Sequence, residues 1–208
     1  MRATLTAALL TASVTVVAGL ALRAPDATTG VIGFAAATVM TAWLAGQLST
    51  DDEAGLAAAN PAWALALSMR GRYALTQLLP LWAAQVVAAV VVGLALDAGS
   101  SALPDAMTWP TLGLPAAAVI AGMVAVPATW VLVLADAYGN DAVAGAPVLV
   151  SAAALPLNLA AVLNPAVVVG LAVAGFVDWP LAGVTVVTVL LGSTVGAYSS
   201  RLFVASAA

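Results

Sequence analysis

Two stretches of this sequence decide the fold that it predicts: NPAWALALSM at residues 60–69 and NPAVVVGLAVAG at residues 164–175. Their asparagines are 104 residues apart (164 minus 60) in a chain of 208 residues, so the motif recurs at half the chain length. Asparagine is a favoured helix N-cap, and proline fits the first helical position, where its missing N–H has no partner to lose. One Asn-Pro-Ala in an alanine-rich chain is usually a loop that ends in an N-cap. Two copies at this spacing predict a repeat in which each motif starts a short helix.

The composition around these stretches is that of a membrane protein. Apolar residues make up 64% of the chain, charged residues make up 7%, and the mean hydropathy is +1.13. Soluble domains are about 45–50% apolar and about 25% charged, so this chain cannot cover its surface in water. It contains no cysteine or histidine, which excludes disulfides, thiolate or imidazole metal sites and a histidine general base. Its five basic residues, all arginine, are too few for a nucleic-acid interface.

Apolar runs between the charged loops predict the membrane spans, because a helix needs about 20 mostly apolar residues to cross the bilayer core. Six runs are long enough, at about residues 3–22, 30–48, 73–96, 112–135, 142–159 and 181–204. The two Asn-Pro-Ala stretches are left over and are too short to span. The first run follows Arg2 and resembles a secretory signal, but the repeat requires it as a mature helix. The expected fold is therefore an all-α membrane protein with six transmembrane helices and two re-entrant half-helices.

Along the chain, two long apolar segments, one short segment and one long segment follow one another, and this order occurs twice. The first repeat is residues 1–103, with a half-helix at 60–70. The second is residues 104–208, with a half-helix at 164–175. Three spans per repeat is an odd number, so the second repeat is inverted relative to the first. A helix that starts inside the bilayer is tolerated where it is buried in protein or lines a cavity. We therefore expect a cavity at the midplane, with amide donors from Asn60 and Asn164 and two positive helix ends that disfavour cations.

The five arginines predict the orientation. With a cytoplasmic N-terminus, four of them lie inside and one lies outside, as the positive-inside rule requires. The four are Arg2, Arg70, Arg72 and Arg201, and the outer one is Arg23. The chain is thus expected to be a multi-pass protein of the cell membrane with both termini in the cytoplasm.

The motifs resemble those of the aquaporin or major intrinsic protein family over nearly the whole chain. The strongest similarity is AAANPAWALALSMRGRY at residues 57–73, followed by LWAAQVVAAVVVG at residues 81–93. Pro156 and DWPLAG at residues 178–183 resemble the end of the family's fifth span and the start of its sixth. The resemblance implies a bundle of six tilted helices, a homotetramer with one pore per protomer, and water or small neutral solutes as the permeant. It implies no cofactor and no metal. The six motif residues are then pore residues: Asn60, Pro61, Ala62, Asn164, Pro165 and Ala166.

The resemblance also implies where a selectivity filter lies. The family usually has an arginine directly after the second motif, but Val167 stands there in this sequence. By offset, the other filter positions are Met40, a residue near Ala152, and Ala161, so the expected filter is small and apolar. An orthodox water-selective pore is doubtful for that reason, and a wider or more hydrophobic constriction is expected. Trp63 is the counterpart of Val167 in the first repeat. It either narrows the cytoplasmic half of the pore or packs between helices.

The acidic residues show one further departure from the family and one dense cluster. The family's first and fourth spans bury a glutamate that accepts hydrogen bonds from the re-entrant loops, whereas these spans contain no acid. Candidates to replace the glutamate of the first span are Thr4, Thr6 and Thr11, and Thr129 is the comparable candidate in the fourth. The acidic cluster at residues 51–53 is a solvated loop or, less readily, a cation site.

The sequence therefore favours a passive channel for water or for small uncharged solutes of the glycerol type. A degenerate, closed member of the family with a structural role is the alternative. A secondary transporter is disfavoured because ion coupling requires ionisable groups within the spans. An enzyme is disfavoured because no acid–base or nucleophile–base pair occurs at a useful spacing. The acidic balance, with nine acids and a net charge of −4, suggests a cell with a salty cytoplasm, such as that of a haloarchaeon.

Overall fold

The computed structural model describes residues 2–48, 60–72, 74–105, 112–138 and 163–204. These residues form seven α-helices and no β-strand. The helices are α1 (Arg2–Ala21), α2 (Ala27–Leu48), α3 (Pro61–Met69), α4 (Leu75–Ala98), α5 (Leu114–Tyr138), α6 (Pro165–Val173) and α7 (Trp179–Ser199). Single 3₁₀ turns follow α4 and α7, at Ser100–Ala102 and Ser200–Leu202.

The long helices occupy the predicted apolar runs. Four of them, α1, α4, α5 and α7, are long and apolar enough to cross a membrane. Helix α2 coincides with the second predicted run and contains a shorter apolar stretch, Ala27–Met40. The fifth predicted run, residues 142–159, lies outside the described residues. Where the chain is described, the prediction of a helical membrane protein is confirmed.

The two short helices begin where the sequence predicts. Helices α3 and α6 have 9 residues each, which corresponds to about 14 Å at 1.5 Å per residue. That length is less than half of the bilayer core, about 30 Å. Both are apolar and mostly buried, so they lie inside the bundle as re-entrant half-helices.

Each half-helix packs against the last long helix of the other half of the chain: α3 contacts α7, and α6 contacts α4. Small residues allow the close approach. A Cβ on Gly93 would collide with the carbonyl oxygen of Gly170, and a Cβ on Gly170 would lie 2.6 Å from the carbonyl oxygen of Ala89. At the equivalent positions of the other pair, 66 (170 minus 104) and 197 (93 plus 104), Ala66 and Ala197 belong to one buried cluster.

Helices α5 and α7 form the most extensive helix pair. A Cβ on Gly192 would lie 2.8 Å from the Cβ of Ala125, and one on Gly196 would lie 2.7 Å from the Cβ of Thr129. Small residues are common in such membrane contacts, where association depends on close packing rather than on the exclusion of water. The outward faces of these helices carry exposed large apolar side chains such as Val119 and Leu191, as expected for a surface that contacts lipid.

Candidate functional site

The first Asn-Pro-Ala motif starts α3 by local hydrogen bonding. Asn60 is the N-cap in an extended conformation, with φ −158° and ψ 129°, and Pro61 occupies the first turn. The Asn60 Oδ1 accepts a hydrogen bond from the Ala62 N–H at 2.8 Å. Asn60, Pro61 and Ala62 are all buried, so the positive end of α3 is directed into the protein interior.

The second motif repeats this arrangement. Asn164 caps α6 with φ −122° and ψ 95°, and Pro165 lies in the first turn. Here the asparagine Oδ1 accepts from the Val167 N–H at 3.3 Å. Asn164, Pro165 and Ala166 are buried as well. Both motifs therefore satisfy one of the unpaired backbone donors at a helix start with the asparagine side chain.

The starts of the two half-helices meet. The Asn60 Nδ2 donates a hydrogen bond to the carbonyl oxygen of Leu163, the residue before the second motif. This bond joins positions 103 residues apart, and α3 and α6 are in contact. An asparagine amide has two N–H groups, so this bond uses one of the Asn60 donors that the sequence assigned to a solute.

The two half-helices also end in the same way. Gly71 and Gly175, which are 104 residues apart (175 minus 71), have positive φ values of 76° and 72°. The Arg72 N–H donates to the Leu67 carbonyl oxygen at 3.0 Å, and the Phe176 N–H donates to the Leu171 carbonyl oxygen at 2.9 Å. Each half-helix thus ends in the same glycine-dependent Schellman turn. The sequence reading missed this symmetry, although the two glycines at the motif spacing were the signal that reveals it.

Helix α4 anchors the first half-helix through a residue that the sequence reading did not select. The Trp82 indole Nε1 donates to the Pro61 carbonyl oxygen at 3.0 Å. No local pattern assigns this role to Trp82, because the bond depends on how α4 packs against α3.

The residues predicted to form the filter differ in how far they are buried. Val167 is 0% exposed and Trp63 is 5% exposed, and each packs in the hydrophobic cluster around its own half-helix. Met40, on α2, is 64% exposed. Ala152 and Ala161 lie outside the described residues. The assignment of these residues to a filter stays a prediction, and so does a role for Trp63 in the pore.

The threonines expected to replace the buried glutamates behave differently from one another. Thr129 is buried in α5, and its hydroxyl donates to the Ala125 carbonyl oxygen of its own helix at 2.8 Å. Thr11 is buried in α1, and its Oγ1 has no hydrogen-bond partner in the described part of the chain. The hydroxyl of Thr129 is thus bonded within its own helix, and neither it nor that of Thr11 has a described bond to a half-helix.

Metal ligands do not cluster in the described residues, where no group of three or more acidic, histidine or cysteine side chains comes together. The acidic residues Asp51, Asp52 and Glu53 lie outside this part of the chain. Arg70 is the one charged side chain that is buried among the described residues. It follows the C-terminal end of α3, away from the two asparagines.

Of the comparisons with known proteins, the one with solved structures bears on the fold. No protein-family model matches the sequence, and no curated protein sequence matches it. Among solved structures, the chain is similar to the X-ray structure of the aquaglyceroporin from Plasmodium falciparum, with a TM-score of 0.73 and 17% sequence identity over 95% of this chain and 93% of that chain. The all-α, aquaporin-like fold predicted from the sequence is therefore confirmed, and the chain is an integral membrane protein.

Proposed function

We propose that this protein is a passive transmembrane channel for water, for small uncharged solutes of the glycerol type, or for both. The observation that carries the proposal is the pair of asparagine-capped half-helices whose starts are joined by the Asn60–Leu163 hydrogen bond. A helix start is stable inside a bilayer where it is buried in protein or lines a polar path. Two such starts in contact support a path in which the amide donors of Asn60 and Asn164 lie at one level.

Electrostatics supports a neutral permeant. The positive ends of α3 and α6 face each other, which raises the energy of a cation between them. Among the described residues, the long helices bury no carboxylate, and the buried Arg70 lies beyond the end of α3. Ion-coupled transport usually requires ionisable groups within the spans, so an uncoupled channel fits the described residues better than a transporter.

The selectivity filter is proposed to be apolar and to consist of Met40, Ala152, Ala161 and Val167. Val167 in place of an arginine removes fixed hydrogen-bond donors and one positive charge. A solute with apolar surface of its own loses less favourable hydration on entering such a constriction than a water molecule does. This difference supports glycerol-like permeants.

The test is stopped-flow light scattering of proteoliposomes, with water flux and glycerol flux measured on the same preparation. We expect at least one flux above that of empty vesicles. Val167→Arg is expected to lower glycerol flux relative to water flux, because it narrows the constriction and adds donors. Val167→Met is the matched control, since it adds length without charge or donors. An equal glycerol-to-water ratio in all three proteins would remove Val167 from the filter, and fluxes equal to those of empty vesicles would end the channel proposal.

A second candidate is a closed, aquaporin-like membrane protein with a structural role. The observation that favours it is the complete packing of Val167 and the near-complete packing of Trp63, at pseudo-equivalent positions of the two half-helices. In that case the unmodified protein conducts neither solute. Trp63→Ala, which opens space beside α3, then raises the flux above the vesicle background.

We also propose that the protein forms a homotetramer in the cell membrane with both termini in the cytoplasm. The exposed apolar side chains on the outer faces of the helices support insertion in lipid and contact between copies. A source with a salty cytoplasm stays a prediction from the acidic composition.

A further inference from the structure

A cavity of about 330 Å³ lies at one end of the bundle, outside the Asn-Pro-Ala site. The turn after α3, the C-terminal end of α5 and the segment after α7 line it, and it is open on one side. Its charged and aromatic lining residues are Arg70, Arg72, Asp136, Tyr138 and Phe203. The length of α3, about 14 Å, separates this cavity from Asn60. The proposed channel function does not use it.

Arg72 is the accessible cation of the cavity. Its Nε donates to the Asp136 Oδ2 at 2.9 Å, and its side chain is 51% exposed, whereas that of Asp136 is 23% exposed. A guanidinium has five N–H donors, so the carboxylate occupies one side of the group, and the half-exposed remainder can bind another acceptor. The ion pair holds Arg72 in place at the cavity wall.

Arg70 contributes a second positive charge to the same wall. It is 7% exposed, and its Nη2 donates to the Val204 carbonyl oxygen at 2.9 Å. The described lining therefore contains two guanidinium groups and one carboxylate. The charge of this lining is positive in a chain whose net charge is −4.

The surroundings of the cavity are those of a membrane–water interface. Tyr138 and Phe203 are exposed at its edge, and Leu202, next to Phe203, and Tyr198, in the last turn of α7, are exposed as well. Phe203 is held by an edge-to-face contact with Trp130, with ring centroids 5.3 Å apart. Exposed aromatic residues are typical of the level at which lipid headgroups lie. The cavity thus combines a cationic wall with an exposed aromatic rim of the kind found at headgroup depth.

We propose that this cavity binds an anionic phosphate group and that Arg72 is its principal ligand. A guanidinium presents paired donors that match two phosphate oxygens, and it stays charged at every physiological pH. At about 30 Å³ per water molecule, the cavity has the volume of roughly ten waters, which is sufficient for a phosphate group and its remaining hydration. The phosphate comes from the headgroup of an anionic lipid or from solution.

The experiment is native mass spectrometry of the purified protein in detergent with dioleoylphosphatidylglycerol or dioleoylphosphatidylcholine added. We expect preferential retention of phosphatidylglycerol and a loss of about tenfold in its affinity for Arg72→Gln, the effect of one charge-assisted interaction. Asp136→Asn removes the carboxylate charge but keeps an oxygen that accepts from the Arg72 Nε, so Arg72 stays at the cavity wall. Retention of phosphatidylglycerol by this variant is expected to equal or exceed that of the unmodified protein. Arg23→Gln, beside Pro104 and Phe176, is the control for loss of an arginine elsewhere.

A second arm distinguishes free phosphate from lipid. Inorganic phosphate is added to the same proteins at constant ionic strength against chloride, and the thermal midpoint is read from tryptophan fluorescence. A phosphate-specific rise that Arg72→Gln abolishes, without preference for phosphatidylglycerol, assigns the site to free phosphate. The proposal is overturned if neither probe distinguishes Arg72→Gln from the unmodified protein, or if Asp136→Asn loses binding as fully as Arg72→Gln does.

Discussion

Single residues account for the local geometry of the site. Asn60 acts twice, because its Oδ1 caps α3 and its Nδ2 bonds to the Leu163 carbonyl oxygen. Asn164 caps α6 in the same manner. The capping role follows from residue type and from the proline that follows, and both were predictable. The bond to Leu163 depends on a residue 103 positions away and was not.

Asp26 provides a test at the residue scale, in the turn between α1 and α2. Its carboxylate accepts hydrogen bonds from the Thr29 backbone N–H at 2.9 Å and from the Thr29 hydroxyl at 2.7 Å. These bonds, the backbone one first, hold the pKa of the Asp26 carboxyl below its usual value. A lowered pKa means that the folded state favours the charged form. The charged Asp26 carboxylate therefore stabilises the protein fully above about pH 3.9, the ordinary aspartate value. This contribution is lost as the pH falls through the lower pKa of the folded state.

We accordingly expect Asp26→Ala to lower the thermal midpoint at neutral pH and to have a diminishing effect as the pH falls below the ordinary aspartate pKa. Thr29→Val removes the hydroxyl donor and keeps the backbone donor, so its effect is smaller at every pH. Thermal scans in detergent from neutral to acidic pH measure both differences. An Asp26→Ala deficit that is independent of pH would show that the charge of the carboxylate does not stabilise α2.

At the scale of elements, the half-helices are bounded by the same signals in both halves of the chain. An asparagine and a proline start each helix, and a glycine with positive φ ends it. These signals are local, which explains why the ends of α3 and α6 lie close to those expected from the sequence. The partner of each half-helix is set by small residues on distant helices, such as Gly93 on α4 against Gly170 on α6. That pairing was not visible in the sequence.

The terminating glycines give a prediction at this scale. Gly71→Ala and Gly175→Ala are each expected to lower the free energy of unfolding by about 1 kcal/mol, because an alanine is strained in the left-handed region. Neither position has an atom within 4 Å of an added Cβ, so backbone strain is the whole effect. Gly183→Ala on α7 is the matched control: it has equally open space and helical φ, so improved helix propensity is expected to raise stability by up to about 1 kcal/mol. Unfolding by sodium dodecyl sulfate measures all three, and a loss at Gly183 as large as at the turns would contradict the explanation.

At the scale of the whole molecule, the chain is an aquaporin-like helical bundle. Its long helices surround the two half-helices α3 and α6, whose starts are in contact. The proposed orientation places the turn after α4 outside the cell and the end of α5 inside. It rests on four arginines against one.

Topology can be tested directly, because the chain contains no cysteine and any introduced cysteine is unique. Ser101→Cys and Tyr138→Cys change exposed residues at the two ends of the membrane region. In intact cells, a membrane-impermeant maleimide is expected to label Ser101→Cys at least tenfold more than Tyr138→Cys, since a closed bilayer excludes the reagent. Equal labelling after the membrane is broken is the control for reactivity. The reverse pattern in intact cells would invert the proposed orientation.

The sequence by itself determined the features that depend on neighbours along the chain. Hydropathy over about 20 residues predicts each long helix, and the Asn-Pro-Ala pairs predict two half-helix starts by capping rules that need no tertiary contact. Their spacing also predicts an inverted repeat, and the resemblance to the aquaporin family implied the fold. Only the tertiary structure decided which groups meet: the Asn60 amide with Leu163, Trp82 with Pro61, and Arg72 with Asp136. It also decided that Val167 and Trp63 are buried. Helix propensity and hydropathy are summed over nearby residues, whereas these contacts depend on how distant helices approach one another. The glycines and alanines that permit the approach do not indicate which helix they will contact, because small residues are common throughout this sequence.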